Sequence, residues 1–239
     1  MLRNLDLTKI LFVDIETVPE EENYAQLSST RKKLWEQKTA YQRKEDEQPE
    51  TFYERAGIWA EFGKIICISV GFFDTSNATT NFRIKSFSGK ETSLLKQFKR
   101  LCDEHFYLKS HLLCAHNGKE FDFPFLARRM VIHGIELPRV LNLFGKKPWE
   151  VPHLDTLQLW KFGDFKHYTS LSLLTEILGI PSPKDDIDGS DVARVYYKEK
   201  NLPRIVRYCE KDVLSLAQVI LRFLSKPLLK EDQIVWLSK

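Results

Sequence analysis

Residues Ile10 to Thr17 read Ile-Leu-Phe-Val-Asp-Ile-Glu-Thr, and no other stretch restricts the fold as much. Four apolar residues lead into Asp14, and Glu16 follows two places later. Side chains alternate between the faces of a strand, so Asp14 and Glu16 leave the same face side by side. Two carboxylates that close repel in a dry site unless a cation or a shared proton lies with them. The pair reads as half of a hard-cation site, since carboxylate oxygens suit Mg²⁺ or Mn²⁺, or else as the solvent face of an edge strand. What the rest of the chain brings to this strand decides between the two.

A length of 239 residues suits a single domain over 1–239, with 43% apolar residues and 16 Phe to fill its core. The formal charge of +3 is nearly neutral, so any basic surface must be local. Cys67, Cys102, Cys114 and Cys209 form no C-x-x-C pair, which fits reduced thiols rather than a zinc knuckle or a disulfide framework. No apolar run approaches the ~20 residues that span a bilayer, and Met1 to Asp6 lacks the apolar region of a signal peptide. A cytoplasmic protein with no membrane partner is expected.

Taken in order, Lys9 to Val13 reads as a buried strand. From residue 20 to 62 Lys, Arg, Glu and Gln dominate, as in Arg31-Lys32-Lys33-Leu34-Trp35-Glu36-Gln37-Lys38. This segment reads as a charged helical insertion with sparse apolar contacts and a break near Pro49. It is either a solvated flap or a basic helix that touches a nucleic-acid backbone. Ile65 to Phe73 reads as a central strand, and Asn81 to Phe87 as its antiparallel neighbour. Leu94, Leu95, Phe98, Leu101 and Cys102 recur at helical spacing. Leu112 to Ala115 is a further strand, ended by the turn His116-Asn117-Gly118, and a helix carrying Phe121 to Met130 follows. His153 to Trp160 reads as a helix. Ser170 to Leu178 is a helix stopped by Gly179, Asp191 to Lys200 is helical, and a long amphipathic helix runs from Pro203 to about Leu224. Strands and helices in this order give an α/β protein with a mixed sheet flanked by helices.

Three more polar positions stand where packing alone would favour apolar ones. Asp122 falls at a helix start after a strand end, where it can favour the helix dipole or face the sheet edge toward Asp14 and Glu16. Tyr208 and Asp212 are one turn apart on one face of the last helix. The set Asp14-x-Glu16, Asn117-x-x-x-Phe121-Asp122 and Tyr208-x-x-x-Asp212 resembles the DEDD superfamily of 3′–5′ exonucleases in its tyrosine subclass. Within it the chain is similar to the proofreading exonuclease domains of family B DNA polymerases, through Asp14-Ile15-Glu16-Thr17 and Phe121-Asp122-x-Pro124-x-Leu126. The run Ser182-Pro183-Lys184-Asp185-Asp186-x-Asp188-Gly189-Ser190 looks like that of stand-alone exonucleases related to those domains.

The resemblance implies a ribonuclease H-like fold and hydrolysis of phosphodiester bonds at single-stranded 3′ ends with two divalent cations, Mg²⁺ or Mn²⁺. Asp14 would bridge both ions, Glu16 and Asp212 would hold the one that activates the attacking water, and Asp122 would hold the second. Tyr208 would orient that water. The family receives the terminal nucleotide beside Ile15 and Thr17, and Asn117 and Phe121 resemble positions that hold the strand end. Lys146, Lys147 and Lys166 could meet phosphates, with Trp149, Phe165 and Tyr168 as platforms for bases. His116 and His167 are expected to serve structure. DNA is favoured over RNA because the resemblance is to proofreading domains. The alternatives are an RNA-trimming exonuclease and a non-catalytic binding protein or scaffold of the same fold. An unidentified protein could recruit the enzyme. No strand–Ser–helix elbow and no G-x-x-x-x-G-K-[ST] loop is present, which disfavours a serine hydrolase and ATP-driven chemistry.

Overall fold

In the computed structural model, which describes residues 5–76, 80–164, 168–181 and 187–237, six strands form one mixed sheet in the order β5-β4-β1-β2-β3-β6. They are β1 (Ile10–Pro19), β2 (Gly63–Asp74), β3 (Asn81–Ser88), β4 (Leu112–Ala115), β5 (Leu154–Asp155) and β6 (Ile234–Trp236). The first three pair antiparallel, and β4, β5 and β6 join parallel to β1, β4 and β3. The helices in chain order are α1 (Ser29–Thr39), α2 (Pro49–Phe52), α3 (Glu91–His105), α4 (Asp122–Ile132) and α5 (Thr156–Trp160). Then come α6 (Leu171–Ile177), α7 (Val192–Arg194) and α8 (Leu202–Phe223). Among the described residues no helix is long and apolar enough to cross a membrane.

The alternation along β1 sorts the core into two layers. Leu11, Val13 and Ile15 pack with Leu94, Leu95 and Phe98 of α3 and with Phe123, Leu126 and Met130 of α4. Ile10 and Phe12 pack on the opposite face with Val213, Leu216, Ala217 and Ile220 of α8. Asp14 and Glu16 share the parity of Ile10 and Phe12, so they point toward α8. That helix starts as its sequence indicates, with the Asn201 side chain accepting the Arg204 N–H and Pro203 in the first turn. Gly179 ends α6 at φ 60°, the left-handed conformation that glycine adopts without strain.

Three expectations need correction. His153 to Trp160 is not all helix, because Leu154 and Asp155 first pair with Cys114 and Ala115 as β5. The edge strand β6 was not expected: three residues carry no period. The segment between β1 and β2 does contain a charged helix, but its apolar contacts are not sparse. Trp35 is fully buried there, with the rings of Phe52, Tyr53, Trp59 and Phe62 at 5.1–6.0 Å. The Trp35 Nε1–H also donates to the Pro49 carbonyl. One tryptophan per helix gives no apolar stripe, yet it nucleates a private aromatic cluster once the chain folds back on it. Ser182 to Asp186, within one of the runs singled out above, lie outside the described residues.

Gly71 lies where α8 packs tightly on the sheet. A Cβ there would lie 2.4 Å from the Phe82 Cζ and 2.7 Å from a Val213 methyl. Gly71→Ala should therefore lower stability by about 1–3 kcal/mol through overpacking. A urea midpoint unchanged from the parent would show that α8 does not press on this position.

Candidate active site

β1 and α8 bring the first and third polar pairs together. One carboxylate oxygen each of Asp14 and Glu16 and the Cys209 Sγ all lie within 4.8 Å of one another. The Cys209 thiol donates to the Asp14 backbone carbonyl at 3.4 Å. One residue before it, the Tyr208 hydroxyl is hydrogen-bonded to the Asp212 carboxylate one turn on. Asp122 enters from the other layer. The ladder between β4 and β1 covers only Ile10, Leu11 and Phe12. Past it, the Ile15 N–H donates to the Asp122 carboxylate at the first residue of α4. A register shift between Glu16 and Thr17 then interrupts the β1–β2 ladder, which resumes through Pro19 opposite Gly63. Asp14, Glu16, Asp122, Tyr208 and Asp212 thus converge on one end of the sheet.

The electrostatics are those of like charges in a dry place. Burial pushes the Asp14 carboxyl well above the usual range, and the charges of Asp212 and Asp122 push it further. Glu16, 7% exposed, is raised by burial and then by Asp14. Asp122 is pushed up to about 8 by burial, against the backbone N–H groups that favour its charged form. The Tyr208 hydroxyl is raised by burial and by Asp212, Glu16 and Asp14, so it keeps its proton. The Asp14 Oδ2 atom is buried and has no hydrogen-bond partner. An acceptor left this way is costly unless something positive occupies the space before it. An oxygen-rich donor set of several carboxylates around such an atom fits a hard divalent cation.

Two supporting groups escaped the sequence reading. Asp155, 2% exposed, accepts the N–H groups of Asn117, Lys119, Leu157 and Gln158 at 3.0–3.2 Å. It caps α5 and at the same time clasps the turn that presents Asp122, whose carboxyl its charge helps to raise. An Asp just before a helical run is an N-cap signal, and it was the available clue. Behind the site a buried polar chain runs from Cys209 to Cys67, to Ser69, to Ser86 and to Glu210. These residues come from α8, β2 and β3, so nothing local reveals it.

The remaining candidates fall as follows. The Ile15 side chain is in the core. The Thr17 hydroxyl donates to the Gly57 carbonyl of the inserted segment. Asn117 takes a left-handed φ of 60° in the turn, and the half-buried Phe121 ring lies 5.4 Å from Phe125. His116 has a structural place: its ring nitrogens bond the Thr156 hydroxyl and the Thr169 carbonyl, and burial lowers its pKa. Tyr168 is 66% exposed, edge-on to His116 at 6.1 Å. Its hydroxyl is raised by partial burial and by the charges of Asp122, Asp155 and Asp212, which puts it at the mouth of the acidic cluster. Lys147 lies over the exposed Trp149 ring, and Lys146 precedes it on the same loop. Phe165, Lys166 and His167 lie outside the described residues.

The model of a family described as the RNase_H superfamily matches residues 52–223. The match takes in Asp122, Tyr208 and Asp212 and begins beyond β1, which carries Asp14 and Glu16. Among solved structures, the chain is similar to the family B DNA polymerase from the hyperthermophilic archaeon Pyrobaculum calidifontis. The TM-score is 0.56 at 16% identity, over 90% of this chain and 24% of that one. The likeness is one of fold, and the chain spans about a quarter of that polymerase's length.

An acid whose folded pKa lies above its unfolded value binds its proton more tightly when folded. Its stabilising effect is complete below the unfolded value near 3.8 and is lost as pH climbs to about 8. Cation-free protein in chelator should lose stability across that window, as followed by urea unfolding. Asp122→Asn, which removes one such group, should flatten the slope. A parent stability that rises from pH 4 to 8 would contradict the burial of these carboxylates.

Proposed function

We propose that this chain, which belongs to the RNase_H superfamily by the match over residues 52–223, is a metal-dependent 3′–5′ exonuclease acting on single-stranded 3′ ends. The observation that carries this reading is the convergence of Asp14, Glu16, Asp122 and Asp212 on one sheet end, with the buried Asp14 Oδ2 left without a partner. A site that only bound nucleic acid would gain nothing from carboxylates facing phosphates, which disfavours the scaffold reading. The preference for an end over an internal bond rests on the Tyr208-x-x-x-Asp212 pattern. DNA is placed before RNA through the resemblance to proofreading domains.

Asp14, Glu16, Asp122 and Asp212 would hold the two cations. When bound, these supply charge neutralisation at the phosphate and make water acidic enough to attack at neutral pH. The protein's own part is positioning. Asp122 is aimed by two backbone N–H groups, its own and that of Ile15, and by the Asp155 clasp behind its turn. Tyr208, kept protonated and tied to Asp212, offers a hydroxyl that orients the attacking water rather than a base that deprotonates it. Water oxygen bonds to phosphorus, the 3′-oxygen leaves with its electron pair and gains a proton, and a nucleoside 5′-monophosphate departs. Tyr168 at the mouth offers a ring on which the terminal base can stack.

The test is a time course on 5′-labelled single-stranded DNA and RNA with Mg²⁺, Mn²⁺ or chelator. A cation-dependent ladder shortening from the 3′ end is expected. Asp14→Ala should lose roughly 10⁴-fold or more, the scale of removing one member of a cooperating catalytic unit. Tyr208→Phe should lose about 10²-fold, as a misplaced reactant does. Faster loss of RNA than DNA would favour the trimming enzyme. Tight binding with no turnover of either would favour the binding protein.

A further inference from the structure

A groove of about 720 Å³ runs along the outer side of α4, apart from the carboxylates. Phe123, Pro124, Ala127, Val131, Leu141 and Phe144 form its apolar lining, and Lys119, Arg128 and Lys146 stand on it with Glu61 and Glu120. Glu61 is paired with Lys38 outside the groove. Among the described residues none of the three cations has a carboxylate partner, so the balance along the rim is positive. Lys119 and Lys146 both line the groove, and the charge of each depresses the pKa of the buried His153. Phe144 is 75% exposed, and just beyond the groove Trp149 is 76% exposed with the Lys147 ammonium over its ring.

The groove starts at the turn that presents Asp122. Lys119 and Glu120 belong to the turn between Asn117 and Asp122, and Gln158 lies across from them on α5. The Lys119 and Gln158 N–H groups are both held by Asp155, the residue that clasps that turn. From there α4 extends 11 residues, or about 16 Å at ~1.5 Å per residue. That length suits about four or five nucleotides stacked at ~3.4 Å.

We propose that this groove is the track for the nucleotides beyond the first one on the 5′ side of the scissile bond in a single strand. This rests on the exonuclease reading above. Flat apolar bases over an apolar floor, with phosphates against unpaired cations, is the combination that sequence-tolerant single-strand binding uses. A duplex hides its base faces and offers the floor nothing. The cations also favour a polyanion over a neutral apolar peptide as the occupant.

The experiment compares the parent with Arg128→Ala/Phe144→Ala and with Arg128→Glu, on single strands of two and of eight nucleotides. Unfolding midpoints of all three proteins are measured alongside. The dinucleotide does not reach the groove, so its kcat/KM should stay within about twofold. For the octamer KM should rise roughly tenfold with kcat retained, and the slope of log affinity against log salt should become shallower by about one for the lost cation. Equal losses on both lengths, or none on the octamer, would overturn the track, the latter leaving the groove to a protein partner. Fluorescence anisotropy of the octamer in chelator separates the two readings. Octamer binding that the groove variants weaken, without cleavage by the parent, would sink the exonuclease and keep the track. Cleavage with groove-independent binding would do the reverse.

Discussion

Everything at the functional end of this molecule depends on negative charges that the fold removes from water and places together. Asp14, Glu16 and Asp122 are all pushed toward the protonated form, and in each case burial is the largest cause. The buried, unpartnered oxygen of Asp14 states the same constraint at a single atom. A protein keeps such an arrangement only when something positive completes it, because desolvating a carboxylate without compensation is expensive.

The rest of the structure can be understood as what holds these groups in that position. A short β4 leaves the Ile15 N–H to Asp122, and the register shift after Glu16 marks where the β1–β2 ladder passes the site. Gly71 lets α8 close on the sheet, so that Cys209 reaches the backbone of Asp14. Asp155 does for the middle motif what the Cys67–Ser69–Ser86–Glu210 chain does behind the outer two. It satisfies backbone or side-chain donors in a place where an unpaired one would destabilise the site.

Where a feature depended on neighbours in the chain, it was readable beforehand. The alternation of Ile10 to Glu16, the spacing of Tyr208 and Asp212, Pro203 in the first turn of α8 and the stop at Gly179 are local patterns, and each stands in the structure as its period, its proline or its glycine indicates. Where it depended on a distant partner, it was not. Leu154–Asp155 and Ile234–Trp236 are strands only because β4 and β3 offer them edges. Trp35 looked like one apolar residue in a charged helix until Phe52, Tyr53, Trp59 and Phe62 folded around it. Asp155 could be suspected as a helix cap from its position, but not as the clasp on Asn117 and Lys119, which are 36–38 residues away.

By itself, then, the sequence determined the chemical types at the site, their strand and helix placement, and the fact that Asp14 and Glu16 share one face. Covalent geometry and the two side-chain periods act over a few residues and suffice for that. Only the tertiary structure decided that residues 14, 122 and 212 meet, which carboxylate oxygen is left without a partner, and how far burial shifts their protons. Desolvation and Coulomb interaction depend on distance in space, and no local period encodes distance between segments a hundred residues apart.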